Sequence, residues 1–473
     1  MPDLSAIVKA YDIRGVVGEQ LDERTARALG AATARLVASD PGPGDSAGTP
    51  AVVVGRDMRD SSPRLAAAFA EGVTGQGLDV VDIGLASTDM LYFASGTLGL
   101  PGAMFTASHN PAAYNGIKLC RAGAVPIGQS SGLATIRDEA GRFLDDGIPA
   151  FDGTPGTVRT EDLRDGYADY LRGLVDLAGC AGLTVVVDAG NGMGGHTVPT
   201  VFETLGMHVV PLYFELDGTF PNHEANPLDP ANLVDLQKAV VAEGADLGLA
   251  FDGDADRCFV VDERGEAVSP SAITALVAAR ELDKAAARGE TDVCVIHNLI
   301  TSRAVPELVA ERGGRPVRTR VGHSFIKQTM AETGAVFGGE HSAHYYFRDF
   351  WKADSGMLAA LHVLAALGEH RAAGENATLS GLMESYERYS ASGEINSTVT
   401  DQAATVAEIE KIYGARDGVE LDRLDGLTVS LPDGSWFNLR ASNTEPLLRL
   451  NVEAADDAAV AALRDEVLEI VRS

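Results

Sequence analysis

The sequence predicts an α/β protein built as three related α/β domains followed by a smaller α+β domain. Three observations carry that reading. Short apolar runs of the buried-strand type alternate with amphipathic stretches of helical period. The alternation restarts after a Gly- and Pro-rich stretch at 147–158, and again after VDERGEAVSP at 261–270. From about residue 375 it gives way to a hairpin, a strand and a closing helix. The expected domains are therefore 1–150, 151–258, 259–374 and 375–473.

Residues 21–38 have the period of an amphipathic helix, and AVVVG at 51–55 that of a buried parallel strand. Asp60-Ser61-Ser62-Pro63 forms a cap and first turn for the next helix, and LDVVDIG is the next strand. LTVVVDAGNGMGG runs from strand through a Gly-rich turn into a helix, and ADLGLAFDGDADR is a strand ending in carboxylates. A helix from 271 and the strand DVCVIHN open the third unit. In the last unit LTVSLPDGSWFNLRAS reads as a hairpin across Pro-Asp-Gly. LLRLNVEA is a strand, and Val460, Leu463, Val467 and Ile470 form one apolar helix face.

A chain of 473 residues admits about three domains at roughly 150 residues each, and 45% hydrophobic residues can fill their cores. The net charge of −30 disfavours nucleic acid and anionic lipid as partners. Against such a background, any local cluster of Arg, Lys and His needs a reason. No apolar run approaches the ~18 residues of a membrane span, and the first residues lack a signal pattern. Cys120, Cys180, Cys258 and Cys294 are scattered, which suits a reduced, cytoplasmic protein.

Four polar constellations stand out. In FDGDADR, Asp252, Asp254 and Asp256 alternate with small residues. Three carboxylates so close repel one another unless a cation neutralises them, and hard oxygen ligands suit Mg²⁺. A solvated acidic loop is the bland alternative. An EF-hand is a second, with Glu263 at the twelfth position, but Arg257 stands where its turn wants Gly. In FTASHNPAAYNG, Ser108 follows an apolar segment and is a candidate nucleophile. Its neighbour His109 need not pair with it, because adjacent side chains usually diverge. In GGEHSAHYYF, Glu340, His341, Ser342 and His344 form a polar knot between apolar segments, suited to sugar hydroxyls or to a capped turn. In RASNTEPLLR, Arg440, Ser442, Asn443 and Thr444 offer a fork of donors that fits a phosphate, with Arg449 on the next strand; a plain turn is the alternative. GQSSG around Ser130 matches a nucleophile elbow, but the preceding AVPI carries a proline where a central strand should run.

Together and in this order, KAYDIRG, TASHNP, DGDADR, GEHSAH and RASNTEPLLR resemble the signature segments of the α-D-phosphohexomutase family. The resemblance spans nearly the whole chain and is most similar to the family's phosphomannomutase and phosphoglucomutase branch. It implies mixed-sheet α/β domains around a central cleft and a Ser108 that is phosphorylated in the resting enzyme. It implies one Mg²⁺ per chain, held by Asp252, Asp254, Asp256 and a Ser108 phosphate oxygen, with Arg257 stabilising the transferring charge. Arg14, Lys118, His323 and His344 become candidates for acid–base work, and Tyr11 and His109 for shaping the pocket. Glu340 and Ser342 would grip sugar hydroxyls. Arg440, Ser442, Asn443, Thr444 and Arg449 would face phosphate, and Lys327 would add positive charge to the substrate site. The expected partners are small sugar phosphates, with a hexose 1,6-bisphosphate as activator, in a monomer or homodimer. Many relatives place a lysine after the third-domain strand, where this chain offers His297, Asn298 and Arg303. Two other classes compete: a metal-dependent phosphatase or serine hydrolase using Ser108 or Ser130, and a sugar-phosphate binding protein.

Overall fold

A computed structural model describes residues 3–39, 51–374, 377–441 and 447–472. The chain divides into two compact units, one of residues up to 268 with 342–382, the other of 269–341 with 383 onward.

The first unit contains two mixed sheets. In the first, β1 (Ile13–Val16), β5 (Tyr114–Arg121), β4 (Gly102–Phe105), β2 (Ala51–Arg56), β3 (Asp79–Leu85) and β7 (Val158–Thr160) lie in that order, with β6 (Val125–Pro126) beside β5. Strands β4, β2, β3 and β7 are parallel, while β5 is antiparallel to both β4 and β1. Val52, Val53 and Val54 are all buried, as a strand covered on both faces requires. Helices Glu23–Ser39 and Ser62–Thr74 pack with this sheet through Leu29, Leu65 and Phe69, and Phe69 meets Phe105 edge to face at 5.4 Å. The cap before the second helix differs from expectation. Ser61 is the N-cap, but its side chain caps no backbone N–H; it accepts from Asn115 Nδ2 at 2.8 Å.

In the second sheet β9 (His208–Leu212), β8 (Thr184–Asp188) and β10 (Leu247–Phe251) are parallel. Strands β11 (Cys258–Asp262) and β12 (Ala267–Val268) follow antiparallel. The second unit repeats the opening of this plan: β14 (Arg315–Thr319), β13 (Cys294–Asn298) and β15 (Phe337–Gly339) are parallel and lie in that order. Strands β16 (Tyr345–Phe347) and β17 (Ala353–Asp354) form an antiparallel pair in the first unit. Each parallel trio thus places its first strand in the middle. The loop that follows the trio's third strand is, in turn, the serine segment after β4, the carboxylate segment after β10 and Glu340–His344 after β15. Three of the four constellations occupy one topological position, repeated.

The C-terminal sheet is wholly antiparallel, ordered β18 (Ser390–Thr398), β22 (Leu447–Ala454), β21 (Trp436–Ala441), β20 (Leu427–Ser430) and β19 (Glu420–Asp422). The Pro-Asp-Gly hairpin joins β20 to β21. Helices Gln402–Gly414 and Asp457–Val471 contribute Ile409, Tyr413, Leu463 and Val467 to the core against Phe437 and Leu450. Ile470 is only half-buried; Leu468 and Val471 complete the buried face instead.

Two alternatives fall on this geometry. The carboxylate loop leads straight into β11 and not into a helix, and Glu263 accepts the Ser380 N–H at 3.1 Å, so no EF-hand is present there. Ser130 lies exposed in a single 3₁₀ turn, Gln129–Ser131, after the two-residue strand β6, so it is not a nucleophile elbow. Among the described residues no helix is long and apolar enough to cross a membrane.

Candidate active site

The serine segment leaves β4 and doubles back into β5. Ser108 is almost fully buried and has φ of 50°, a left-handed conformation that costs a non-glycine residue about 1–3 kcal/mol. Something must hold it. Its N–H donates to Thr106 Oγ1 at 2.9 Å, and its carbonyl accepts from Arg59 Nη2 at 2.9 Å. Its Oγ donates to Asp252 Oδ2 at 2.9 Å. The Oγ also lies 3.1 Å from His109 Nδ1, so the two neighbours do meet, and the left-handed turn at Ser108 is the reason. Burial, then the charges of Arg257 and Arg14, lower the His109 pKa to about 2. The imidazole is therefore neutral and suited to shaping the pocket. Arg14 donates to Asp12 at 2.7 Å and to Asn110 Oδ1 at 2.6 Å, bracing the same loop. Tyr11, three residues earlier, is half-buried.

The carboxylate loop fits beneath. Asp252, Asp254 and Asp256 are all buried, and each offers an oxygen to a group within 4.8 Å. A Cβ on Gly253 would lie 2.4 Å from the Ser108 carbonyl oxygen, so only glycine allows the two loops to approach this closely. Thr88, at the start of helix Thr88–Leu98, anchors the loop: its N–H donates to the Asp254 carbonyl at 3.0 Å and its hydroxyl to Asp254 Oδ2 at 2.6 Å.

Two cations face these three anions. Lys118 Nζ donates to Asp254 Oδ2 at 2.7 Å and to Asp256 Oδ2 at 2.5 Å. Arg257 Nε donates to Asp252 Oδ2 at 2.9 Å. Burial alone would lower the Lys118 pKa; Asp254 and Asp256 outweigh it and raise it well above its ordinary value. Lys118 is thus an ammonium in this arrangement, able to give a proton and not to take one. Burial raises Asp252 to about 7 despite Arg257, while Lys118 outweighs burial at Asp254 and lowers it. Among the described residues, Asp254 Oδ1 and Asp256 Oδ1 are buried without a hydrogen-bond partner, as is Arg257 Nη2. Buried orphan carboxylate oxygens are costly. A divalent cation with hard oxygen ligands fits this donor set.

His344 Nδ1 lies 3.1 Å from Asp354 Oδ2 and 3.9 Å from Asp256 Oδ1, so the carboxylate cluster extends to an imidazole. Ser342 is half-buried in the turn before it.

In the second unit Glu340 is buried, and Asn298 Nδ2 donates to its Oε2 at 3.3 Å and lies 3.0 Å from His341 Nδ1. Of the three residues near the missing family lysine, Asn298 alone makes these contacts. His297 turns its Nδ1 to the Asn298 carbonyl, and Arg303 pairs with Glu307 and stacks over Tyr389. Lys327 is buried in helix His323–Thr333. His323 opens that helix, and its side chain lies outside the described residues. Arg440 and Arg449 are cross-strand partners on β21 and β22, and both face Glu394, at 3.4 and 3.6 Å. Among the described residues Arg440 Nη1 and Arg449 Nε are buried with no hydrogen bond; Arg440 Nη1 lies 4.0 Å from Asp425 Oδ2. Ser442, Asn443 and Thr444 lie outside the described residues.

Sequence reasoning missed Arg59, Asp57 and Asp89. Arg59 is buried and reaches four carbonyls of the serine segment. Asp89 is buried and accepts from Ser355 and Tyr167 at 2.6 and 2.7 Å; burial raises its pKa to about 6. The signal for the first two was present in GRDMRD, two charge pairs directly after a buried strand.

This fold and site define a class, the phosphohexomutases: isomerases that work as intramolecular phosphotransferases. The chain belongs to the phosphoglucomutase/phosphomannomutase family. Its residues 5–142, 165–265 and 269–389 match that family's alpha/beta/alpha domains I, II and III, and residues 394–470 its C-terminal domain. It is 39% identical to a phosphomannomutase of Salmonella montevideo, over 98% of each chain. It is 38% identical to a phosphomannomutase of Escherichia coli strain K12, over 97% of each. A crystal structure of a phosphoglucomutase/phosphomannomutase family protein from Burkholderia thailandensis superposes with a TM-score of 0.84. It shares 33% identity and is matched over 100% of this chain and 98% of that one.

Proposed function

We propose that the chain interconverts mannose 6-phosphate and mannose 1-phosphate through a phosphoserine at Ser108 and a hexose 1,6-bisphosphate intermediate. Glucose phosphates are also substrates. The observation that carries this reading is the strained, buried Ser108, with its Oγ hydrogen-bonded to one member of a buried carboxylate triplet. The substrate class rests on relatives named phosphomannomutase that match along the whole chain.

In the proposed cycle the Ser108 phosphoryl passes to the free hydroxyl of the sugar monophosphate. The serine O–P bond breaks, a sugar O–P bond forms, and the hydroxyl proton leaves to a base. The bisphosphate then returns its other phosphoryl to Ser108. Asp252, Asp254 and Asp256 would hold Mg²⁺, which when bound neutralises charge on the moving phosphoryl. His344, oriented by Asp354, takes the hydroxyl proton and returns it to the sugar oxygen in the reverse transfer, while the Lys118 ammonium gives a proton to the departing Ser108 Oγ and recovers it when Ser108 is phosphorylated again. Arg257, whose Nη2 makes no hydrogen bond among the described residues, stabilises the transferring group. Glu340 and Ser342 read the sugar hydroxyls, with Asn298 steadying Glu340. Arg440 and Arg449 take the phosphate that is not being transferred.

A coupled assay of mannose 1-phosphate, glucose 1-phosphate and glucosamine 1-phosphate on one preparation tests this. The expected result is turnover of the first two that needs a hexose 1,6-bisphosphate. Steady release of inorganic phosphate with no activator requirement would make the protein a phosphatase instead.

A further inference from the structure

Arg59 uses every donor it has. Its Nη1 donates to the carbonyls of Pro111 and Tyr114 at 2.9 and 3.0 Å, and its Nη2 to those of Ser108 and Asn110 at 2.9 and 2.6 Å. Its Nε donates to Asp57 Oδ2 at 3.2 Å. All five N–H groups of the guanidinium are engaged, and four of them grip one seven-residue stretch of backbone. The side chain is 1% exposed, so this charge sits in the interior, where Asp57 neutralises it. Asp57 is itself fixed, accepting from Ser62 Oγ at 2.6 Å and the Arg59 N–H at 3.1 Å. The Phe220 ring lies 5.1 Å from the guanidinium carbon.

The grip has a consequence for Ser108. The residue sits at φ 50°, which its own preferences oppose. Its carbonyl oxygen accepts from Arg59 Nη2 at 2.9 Å, and a Cβ on Gly253 would come within 2.4 Å of that same oxygen. One carbonyl therefore registers the serine segment against the carboxylate loop. A lysine, with three donors and no planar fork, cannot hold four carbonyls and a carboxylate at once.

We infer that Arg59 is a positioning residue for phosphoryl transfer: its five-donor clamp holds Ser108 in the left-handed conformation that directs Oγ toward Asp252. The inference rests on the proposed function, since it concerns the aim of the nucleophile in that reaction. Arg59 itself touches no reacting atom.

The test compares Arg59→Lys with wild-type protein in the coupled assay and follows Ser108 phosphorylation by intact mass. Misaim of the nucleophile by an ångström should lower kcat by about a hundredfold, with KM for the sugar phosphate within about threefold. A structural role alone would lower the amount of folded enzyme and leave kcat per folded molecule unchanged. Gly253→Ala keeps the Arg59–Asp57 pair and presses on the same carbonyl, so it should show the same split between kcat and KM if Arg59→Lys fails to fold. Wild-type phosphoserine with full kcat in Arg59→Lys, or in Gly253→Ala, would overturn this inference alone. Wild-type turnover without phosphate on Ser108 would overturn the proposed function and this inference with it.

Discussion

Ser108 Oγ donates a 2.9 Å hydrogen bond to Asp252 Oδ2, joining two loops that lie 144 positions apart in the chain. Beside this pair, Asp254 Oδ1 and Asp256 Oδ1 are buried with no hydrogen bond among the described residues. A cation that satisfies them should be required for activity. Chelation is expected to abolish turnover and Mg²⁺ to restore it, while Asp254→Asn loses activity that added Mg²⁺ does not recover. Full activity in excess chelator would show that Lys118 and Arg257 suffice to balance the carboxylates.

Arg440→Ala should raise KM for sugar phosphates. Among the described residues Arg440 Nη1 and Arg449 Nε are buried donors with no hydrogen bond, and Arg440 Nη1 has Asp425 Oδ2 only at 4.0 Å, which leaves both with capacity for an anion. A charge-assisted contact is worth about 1.5–3 kcal/mol, or roughly ten- to a hundredfold in KM. Steady-state kinetics alongside a melting curve would check it. Unchanged KM with unchanged melting would make the pair merely a partner of Glu394.

In the proposed cycle Glu340 and Ser342 would read the hydroxyls at C3 and C4, centres that glucose and mannose share. Discrimination needs a group that one epimer satisfies and the other leaves unpaired. Both sugars should therefore turn over, and galactose 1-phosphate, inverted at C4, should be poor. Specificity constants measured with one activator would decide. Equal use of galactose and mannose phosphates would show that C4 is not read, and a glucose-to-mannose ratio beyond about a thousandfold would reveal a C2 sensor elsewhere.

His223 provides a pH signature away from the chemistry. Its Nε2 lies 3.0 Å from the buried Asp188, and that hydrogen bond, despite partial burial, raises the imidazole pKa above its ordinary 6.5. A raised folded-state pKa means the folded protein binds this proton more tightly. The stabilisation is full below about 6.5 and fades as pH climbs through the folded value. The gap in stability between wild type and His223→Gln should thus narrow from pH 6 to pH 8.5 in urea titrations. A gap independent of pH would show that His223 contributes by packing alone.

The repeated domain plan was legible because strand runs such as AVVVG, TVVVD and CVIHN are short, apolar and followed by helical periods. What the sequence could not convey is that the signature loops share one position after the third strand of each parallel trio, since register and order arise from pairing distant segments. The carboxylate triplet was legible from spacing, because Asp252, Asp254 and Asp256 alternate with the small residues Gly253 and Ala255; that all three are buried together is what the structure adds. Arg59 was not. Its role comes from reaching the carbonyls of Ser108, Asn110, Pro111 and Tyr114, some 50 residues away, and no local period marks such a contact. The Ser108–His109 contact was also hidden, because it depends on a left-handed backbone at a residue that is not glycine.

The central claim is that Ser108 carries the phosphoryl group between sugar positions. Hexose 1,6-bisphosphate labelled with radioactive phosphate, mixed with the enzyme and followed by peptide mapping, tests it most directly. The account predicts label on the peptide containing Ser108, chased into sugar phosphate when unlabelled mannose 6-phosphate is added, and no label or turnover in Ser108→Ala. Turnover by Ser108→Ala at the wild-type rate, or label that appears only as inorganic phosphate, would contradict it.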